Sequence, residues 1–161
     1  MARARAGGTP ATVALNRAGV AHTLHPYAHD DATTAYGEEA AAALGVDPAR
    51  LFKTLLADVG GELVVAVVPV ALRLDLKALA ALLGVKRAAM ADPAAATRST
   101  GYVLGGISPL GQRTRLRTVV DDSAAHHASV YVSAGRRGLQ VELAPADLVA
   151  VTGAVLGPVA G

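Results

Sequence analysis

The sequence predicts an α+β fold in a single domain, with a mixed sheet curled around one core and helices packed around it. Three observations carry this expectation. At 161 residues the chain is long enough for one domain to bury a core without covalent staples, and it has no cysteine to form any. Its hydrophobic period switches repeatedly between helix-like and strand-like, in an irregular order that departs from the strict alternation of a doubly wound sheet. No internal repeat and no linker breaks that pattern.

Each element has a local cause. Residues 1–8 carry charge but no apolar run, so they are expected to be a disordered tail and not a secretory signal, with the folded domain spanning residues 9–161. Thr9-Pro10 opens a helix through Ala14, Leu15 and Ala18 that stops at Gly19. Val20 to Tyr27 is strand-like. Gly37 to Leu44 is rich in Ala and Glu and ends at Gly45 as a second helix, after which Asp47-Pro48 begins a short helical turn into Leu51 and Phe52. The doubled glycine Gly60-Gly61 separates two β-prone runs, Lys53 to Ala57 and Glu62 to Val68, which marks a hairpin. Asp75 to Leu83 is a helix with Leu76, Leu79, Ala80 and Leu83 on one face and Gly84 closing it. Asp92-Pro93 caps another to about Arg98. Thr118 to Val120, Ser129 to Val132 and Leu139 to Leu143 are three further strands, and Pro145 to about Val151 is a closing helix.

Composition narrows the function classes. Without cysteine there is no thiol nucleophile and no thiolate metal site, and a cytoplasmic location is compatible with that absence. The longest apolar stretch, Leu63 to Leu72, falls short of the roughly 20 residues that cross a bilayer, so a soluble protein without a membrane partner is expected. A net charge of +2 permits a polyanionic partner without demanding one.

The segment from Arg98 to Gly111 is the most informative, because it packs four glycines and Pro109 around almost no charge. Such a segment builds a shaped loop whose backbone amides can hold an oxyanion, a carboxylate or a phosphate. His22, His25 and His29, followed by Asp30 and Asp31, have the residue types of a metal site, but strand alternation turns His22 and His25 to opposite faces. A polar strand end is the expectation there, and a solvated helix face for His126-His127. The GxSxG elbow, the HExxH helix and GxxxxGK[ST] are absent. Lys53 stands between Phe52 and Leu55-Leu56 at the start of a central strand. It is either a lysine snorkelling from a strand end or a cation inside a cleft, where it would hold a phosphate or ribose oxygen or stabilise negative charge on a carbonyl under attack.

Phe52-Lys53-Thr54-Leu55, Leu74-Asp75-Leu76-Lys77, Met90-Ala91-Asp92-Pro93, Arg98-Ser99-Thr100-Gly101-Tyr102, Gly105-Gly106-Ile107-Ser108-Pro109-Leu110-Gly111 and Arg137-Gly138-Leu139 occur in the order and spacing of the YbaK/EbsC family. The chain resembles that family from about Pro10 to Val151. Its members are aminoacyl-tRNA deacylases that clear cysteine from mischarged tRNA(Pro), and they are related to the editing domain inserted in bacterial prolyl-tRNA synthetases.

The resemblance implies a barrel-like mixed sheet flanked by helices and action on the ester joining an amino acid to the terminal adenosine of tRNA. Lys53 matches the essential lysine, and Gly105 and Gly106 match loop residues whose amides can face the ester carbonyl. The expected substrate-binding set is Tyr27, His29, Tyr36, Ile107, Ser108, Pro109, Ser133 and Gln140. Where some relatives carry an aspartate this chain has Gln140, which either hydrogen-bonds an α-ammonium group without neutralising it or is a solvated strand residue sharing a face with Glu142. Arg98, Arg113, Arg115, Arg136 and Arg137 are the expected contacts to the acceptor end, with Arg117 beside them and prolyl-tRNA synthetase as a further candidate partner. No cofactor and no metal is implied, since the substrate's own thiol would attack its carbonyl and release tRNA through a cyclic thioester. The alternatives are a deacylase for another small amino acid such as alanine, or a non-catalytic module that binds an aminoacyl end or a synthetase.

Overall fold

The computed structural model describes residues 8–161, so residues 1–7 of the expected tail lie outside the described part of the chain. Thr9 caps the first helix. Its N–H donates to Thr12 Oγ1 at 2.9 Å while its own Oγ1 accepts from Thr12 N–H at 3.2 Å, a reciprocal cap that starts α1 (Pro10–Ala18). Ala11 and Leu15 then bury one face of that helix.

Among the described residues the strands form two sheets. The first has the order β1 (His22–Pro26), β7 (Leu139–Leu143), β6 (Val130–Arg136), all antiparallel. The second has the order β4 (Ala89–Met90), β2 (Phe52–Val59), β3 (Glu62–Pro69), β5 (Arg117–Asp121), β8 (Val155–Gly157). β2 pairs antiparallel with β3 and β4, whereas β3–β5 and β5–β8 are parallel, so this sheet is mixed as expected. β3 is central and buried on both faces, which its run of valines anticipates.

Alternation along these strands sorts the core. Phe52, Leu56, Val65 and Val67 face inward to Val130, Val132, Val141 and Leu143 of the three-stranded sheet, with Leu15 of α1 filling the space between. Val64, Val68 and Val119 face the other way onto Leu79 of α3 (Leu76–Leu83). A smaller cluster joins Ala40 and Ala41 of α2 (Tyr36–Leu44) to Leu51, Val70 and Tyr131. The chain closes where the buried Asp121 accepts from Val159 N–H at 3.0 Å and Ala160 N–H at 3.1 Å.

Three expectations need correction. The sheet does not close into a barrel: the two sheets meet through an isolated parallel bridge between Leu51 and Tyr131, and the outer edge of β2 is shared between that bridge and β4. The helical turn expected from Asp47-Pro48 is a turn only, because Leu51 is pulled into pairing with Tyr131 and Val70. Of His126-His127, expected on a solvated helix face, His126 ends a 3-10 helix (Asp122–His126) and is exposed, whereas His127 lies past its end and is half-buried. β4 and β8 are too short for alternation to reveal them. α4 (Pro93–Thr100) and α5 (Pro145–Thr152) lie where their Asx-Pro and Ala-Pro starts place them. No helix among the described residues is long and apolar enough to cross a membrane.

Candidate active site

The interrupted edge of β2 opens into a cavity of about 520 Å³. Phe52 to Leu56 form one wall, Ser133 and Gln140 come from β6 and β7, and Tyr36 and Glu38 come from the first turn of α2. Leu104, Gly105 and Ile107 contribute the loop side, while Met90, Pro93 and Ala96 complete the apolar lining. Such a volume suits a ligand larger than a small amino acid alone. Lys53 is half-buried on this lining and forms no ion pair among the described residues; Glu38, the one carboxylate on the lining, is exposed.

The glycine-rich loop is stapled at its base and internally satisfied. Arg113 N–H and Thr114 N–H donate to the carbonyls of Thr100 and Ser99, each at 2.9 Å. The buried Tyr102 hydroxyl donates to Leu110 O at 2.6 Å, and burial pushes its pKa up to about 12. Leu110 N–H donates to Ser108 Oγ at 3.1 Å, and Gln112 donates to Ser108 O at 2.9 Å. Ser108 is therefore spent on loop shape, and Pro109 lines a separate cavity of about 200 Å³ behind the loop. Neither reaches the main cavity.

The two central glycines have different causes. A Cβ on Gly105, whose φ is +83°, would lie 2.6 Å from the ring of Tyr36, so the loop backbone lies flat on that ring. A Cβ on Gly106 would lie 2.8 Å from Arg136 Cα, so this glycine serves packing against the β6–β7 hairpin. Gly106 N–H also donates to Val103 O at 2.9 Å. It is not a bare amide, and of these two glycines Gly105 is the one on the cavity lining.

Two side chains pack on Tyr36. His29 packs 5.9 Å from it, ring centroid to ring centroid, and bonds through Nδ1 to Glu39 Oε1 at 2.6 Å. Asp30 N–H donates to Glu39 Oε2 at 2.7 Å; this bond first, and the one to His29 second, hold the Glu39 carboxyl below its usual range. Arg137 also lies over the ring, with Nε donating to Leu104 O at 2.8 Å. Tyr27 packs on the α2 cluster instead of lining the cavity. His29 thus supports the wall that Tyr36 presents.

Gln140 is 6% exposed and its Oε1 has no hydrogen-bond partner among the described residues. Thr54 Oγ1, on the same cavity, is also buried and unpartnered. Thr54 escaped the reading of sequence as a site residue. A lone hydroxyl inside an apolar strand was the available signal, and the motif Phe52-Lys53-Thr54-Leu55 contained it.

The arginines do not all converge. Arg136 and Arg137 are exposed at the hairpin beside the loop, and Arg98 and Arg113 are exposed at the loop base, 3.5 Å apart from Arg113 Nη1 to Arg98 O. Arg115 lines the rear cavity and Arg117 pairs with Glu62 at 3.0 Å. The histidines separate too: His22 bonds to Val20 O, His25 to Glu142, and His29 to Glu39.

The chain matches the aminoacyl-tRNA editing domain over residues 29–151, which include the loop, Lys53 and Gln140. It is 40% identical over 117 residues to a protein of Enterococcus faecalis named as a Cys-tRNA(Pro)/Cys-tRNA(Cys) deacylase, EbsC, with 71% of each chain covered. Among solved structures it is similar to one described as a trans-editing enzyme for prolyl-tRNA synthetase, at TM-score 0.80 and 25% identity over 94% of this chain and 95% of that one. It is also similar to a hypothetical protein, at TM-score 0.84 and 28% identity over 95% and 100%. The chain belongs to the aminoacyl-tRNA editing domain family.

Proposed function

We propose that this protein is a trans-editing aminoacyl-tRNA deacylase that cleaves the ester of cysteine mischarged onto tRNA(Pro), with Cys-tRNA(Cys) as a second substrate. The observation that carries the reading is Lys53, half-buried on the same cavity as Gly105 and Gln140, with no ion pair to it and no partner for Gln140 Oε1 among the described residues. An aminoacyl ester is already activated, so orientation and stabilisation of tetrahedral charge suffice, and no protein nucleophile is required. Lys53 would stabilise the developing oxyanion. The substrate Sγ attacks its own acyl carbon, the C–O bond to the ribose breaks, and the thiol proton passes to the departing 3′ oxygen, leaving a cyclic thioester. The identity of EbsC as a named Cys-tRNA deacylase supports this substrate class.

A cavity of this size also accommodates part of the terminal adenosine, while the exposed arginines supply charge contacts that carry no sequence information. Selection of tRNA(Pro) would then come from prolyl-tRNA synthetase engaged with the same tRNA.

Single-turnover deacylation of Cys-tRNA(Pro), Ala-tRNA(Pro) and Ser-tRNA tests the reading. Cys-tRNA(Pro) is expected to react fastest, and Lys53→Ala to lose about 10²–10³ in rate. A wild-type protein no faster than buffer on every substrate ends the enzyme reading. Clearance of Ala-tRNA(Pro) alone ends the thiol mechanism.

A further inference from the structure

β2 carries a stretch of main chain that turns toward the cavity, and two hydrogen bonds set its orientation. Leu51 O accepts from Val70 N–H at 2.8 Å, so Leu51 and the alternate residues Lys53 and Leu55 direct their N–H and C=O groups to β3. Leu56 O accepts from Ala91 N–H at 3.0 Å on the opposite side, so Phe52, Thr54 and Leu56 direct theirs away from β3. Along that outer edge β6 makes contact through the bridge at Leu51, and β4 pairs at Ala57 and Asp58. The N–H and C=O of Thr54 fall between these two contacts, in the wall of the cavity. A strand edge left between two neighbours is a template for pairing. The side-chain acceptors nearby tell the same story, since Thr54 Oγ1 and Gln140 Oε1 are buried without partners.

We infer that Thr54 holds the aminoacyl group through its main chain, as an addition of a single residue to the sheet. Its C=O accepts from the α-amino group, and its N–H donates to the acyl carbonyl oxygen. This rests on the deacylase reading and specifies how that substrate is gripped. An α-aminoacyl group bears its amine and carbonyl on one carbon, the spacing of the N–H and C=O within any strand residue. Two such residues facing each other in an antiparallel ladder exchange both hydrogen bonds.

Several consequences follow from the chemistry. The grip is blind to the side chain, which leaves discrimination to the rest of the cavity. It selects α-aminoacyl over β-aminoacyl groups, whose amine is one carbon out of register. The N–H bond strengthens as the carbonyl oxygen gains charge, so Thr54 supplies a preorganised donor in place of Gly106, whose amide is engaged with Val103. Gln140 Oε1 is a second acceptor for the same amine.

Amide hydrogen exchange on the full chain, followed by NMR, tests this. The probe is 3′-cysteinylamino-3′-deoxyadenosine, in which an amide replaces the ester and resists cleavage. In the free protein Thr54 N–H is expected to exchange at least about 100-fold faster than Lys53 and Leu55 N–H, and saturating probe to slow it at least about 10-fold. The analogue with a 3-mercaptopropionyl group, which lacks the amine, is expected to bind about 10-fold more weakly. In Thr54→Val the amide at that position still slows, because the main chain is unchanged. The inference is overturned if the probe saturates the signals of Ser133 and Gln140 while Thr54 exchange stays constant, or if the slowing disappears with the hydroxyl. A probe that fails to bind at any concentration takes the deacylase reading down with it; binding without protection of Thr54 removes only the main-chain grip.

Discussion

The guanidinium of Arg137 lies over the ring of Tyr36, 5.0 Å from its centroid. One residue comes from the β6–β7 hairpin and the other from the first turn of α2, so the contact ties together two elements far apart in sequence. The glycine-rich loop is trapped by the pair, with Leu104 O bonded to Arg137 Nε and Gly105 lying on the Tyr36 ring. Arg137 thereby shapes the cavity wall while remaining exposed to a polyanion.

Arg137→Lys separates those two roles. Lysine keeps the charge but loses the planar stack and the Nε bond, so the single-turnover rate at saturation is expected to fall about 10-fold. Arg113→Ala, at the exposed loop base, is expected to leave that rate alone, weaken tRNA binding and lower the salt slope by about 1. Equal rates for Arg137→Lys and wild type would assign Arg137 to charge alone.

Gly105→Ala drives a methyl group into the Tyr36 ring, where the ideal Cβ lies at 2.6 Å. The positive φ adds strain of about 1 kcal/mol for any L side chain. Activity is expected to drop about 100-fold, because the wall must move by a distance that misaligns a reacting group. In a Tyr36→Ala background the added cost of Gly105→Ala should shrink, giving a coupling of about 1 kcal/mol or more in a double-mutant cycle of urea stabilities. Strict additivity would show that the ring is not what the methyl meets.

Gln140→Asp returns a carboxylate to a buried, unpartnered position. An α-amine titrates near about pH 8, and a carboxylate favours its protonated form. The ratio of kcat/KM at about pH 6 to that at about pH 8 is therefore expected to be higher in the variant than in wild type, by the sign of charge pairing. Identical ratios would place Gln140 out of reach of the amine.

Two carboxylates are expected to make the fold acid-sensitive. Glu142 is held below its usual range first by the Ser129 hydroxyl and then by His25, and Glu39 first by Asp30 N–H and then by His29. A depressed folded pKa means that the unfolded chain takes up protons first as pH falls. The stabilisation is complete above the unfolded carboxylate value of about 4.3 and is lost as pH drops through the folded values. Urea midpoints measured from neutral pH down to about pH 3 should fall more steeply in wild type than in Glu39→Gln/Glu142→Gln. Parallel curves for the two proteins would show that other groups drive the acid transition.

Local chemistry was enough to name most elements. The Thr9-Pro10 start, the Gly19 and Gly84 stops, the Asp75 cap and the Gly60-Gly61 turn act over a few residues, so each could be read directly. Lys53, Gly105, Ser133 and Gln140 line one cavity. Other features depend on partners remote along the chain. Leu51 becomes a bridge residue because Tyr131 lies beside it, β8 exists because β5 offers an edge, and Gly106 spends its small size on Arg136 and its amide on Val103. Ser108 and Pro109 turn away from the cavity for the same reason: the loop satisfies its own groups before it faces a ligand. Side-chain type is written at each position, but the direction of a peptide group follows from which strand lies next to it. The outward turn of Thr54 therefore became visible only once β3, β4 and β6 were in place around β2.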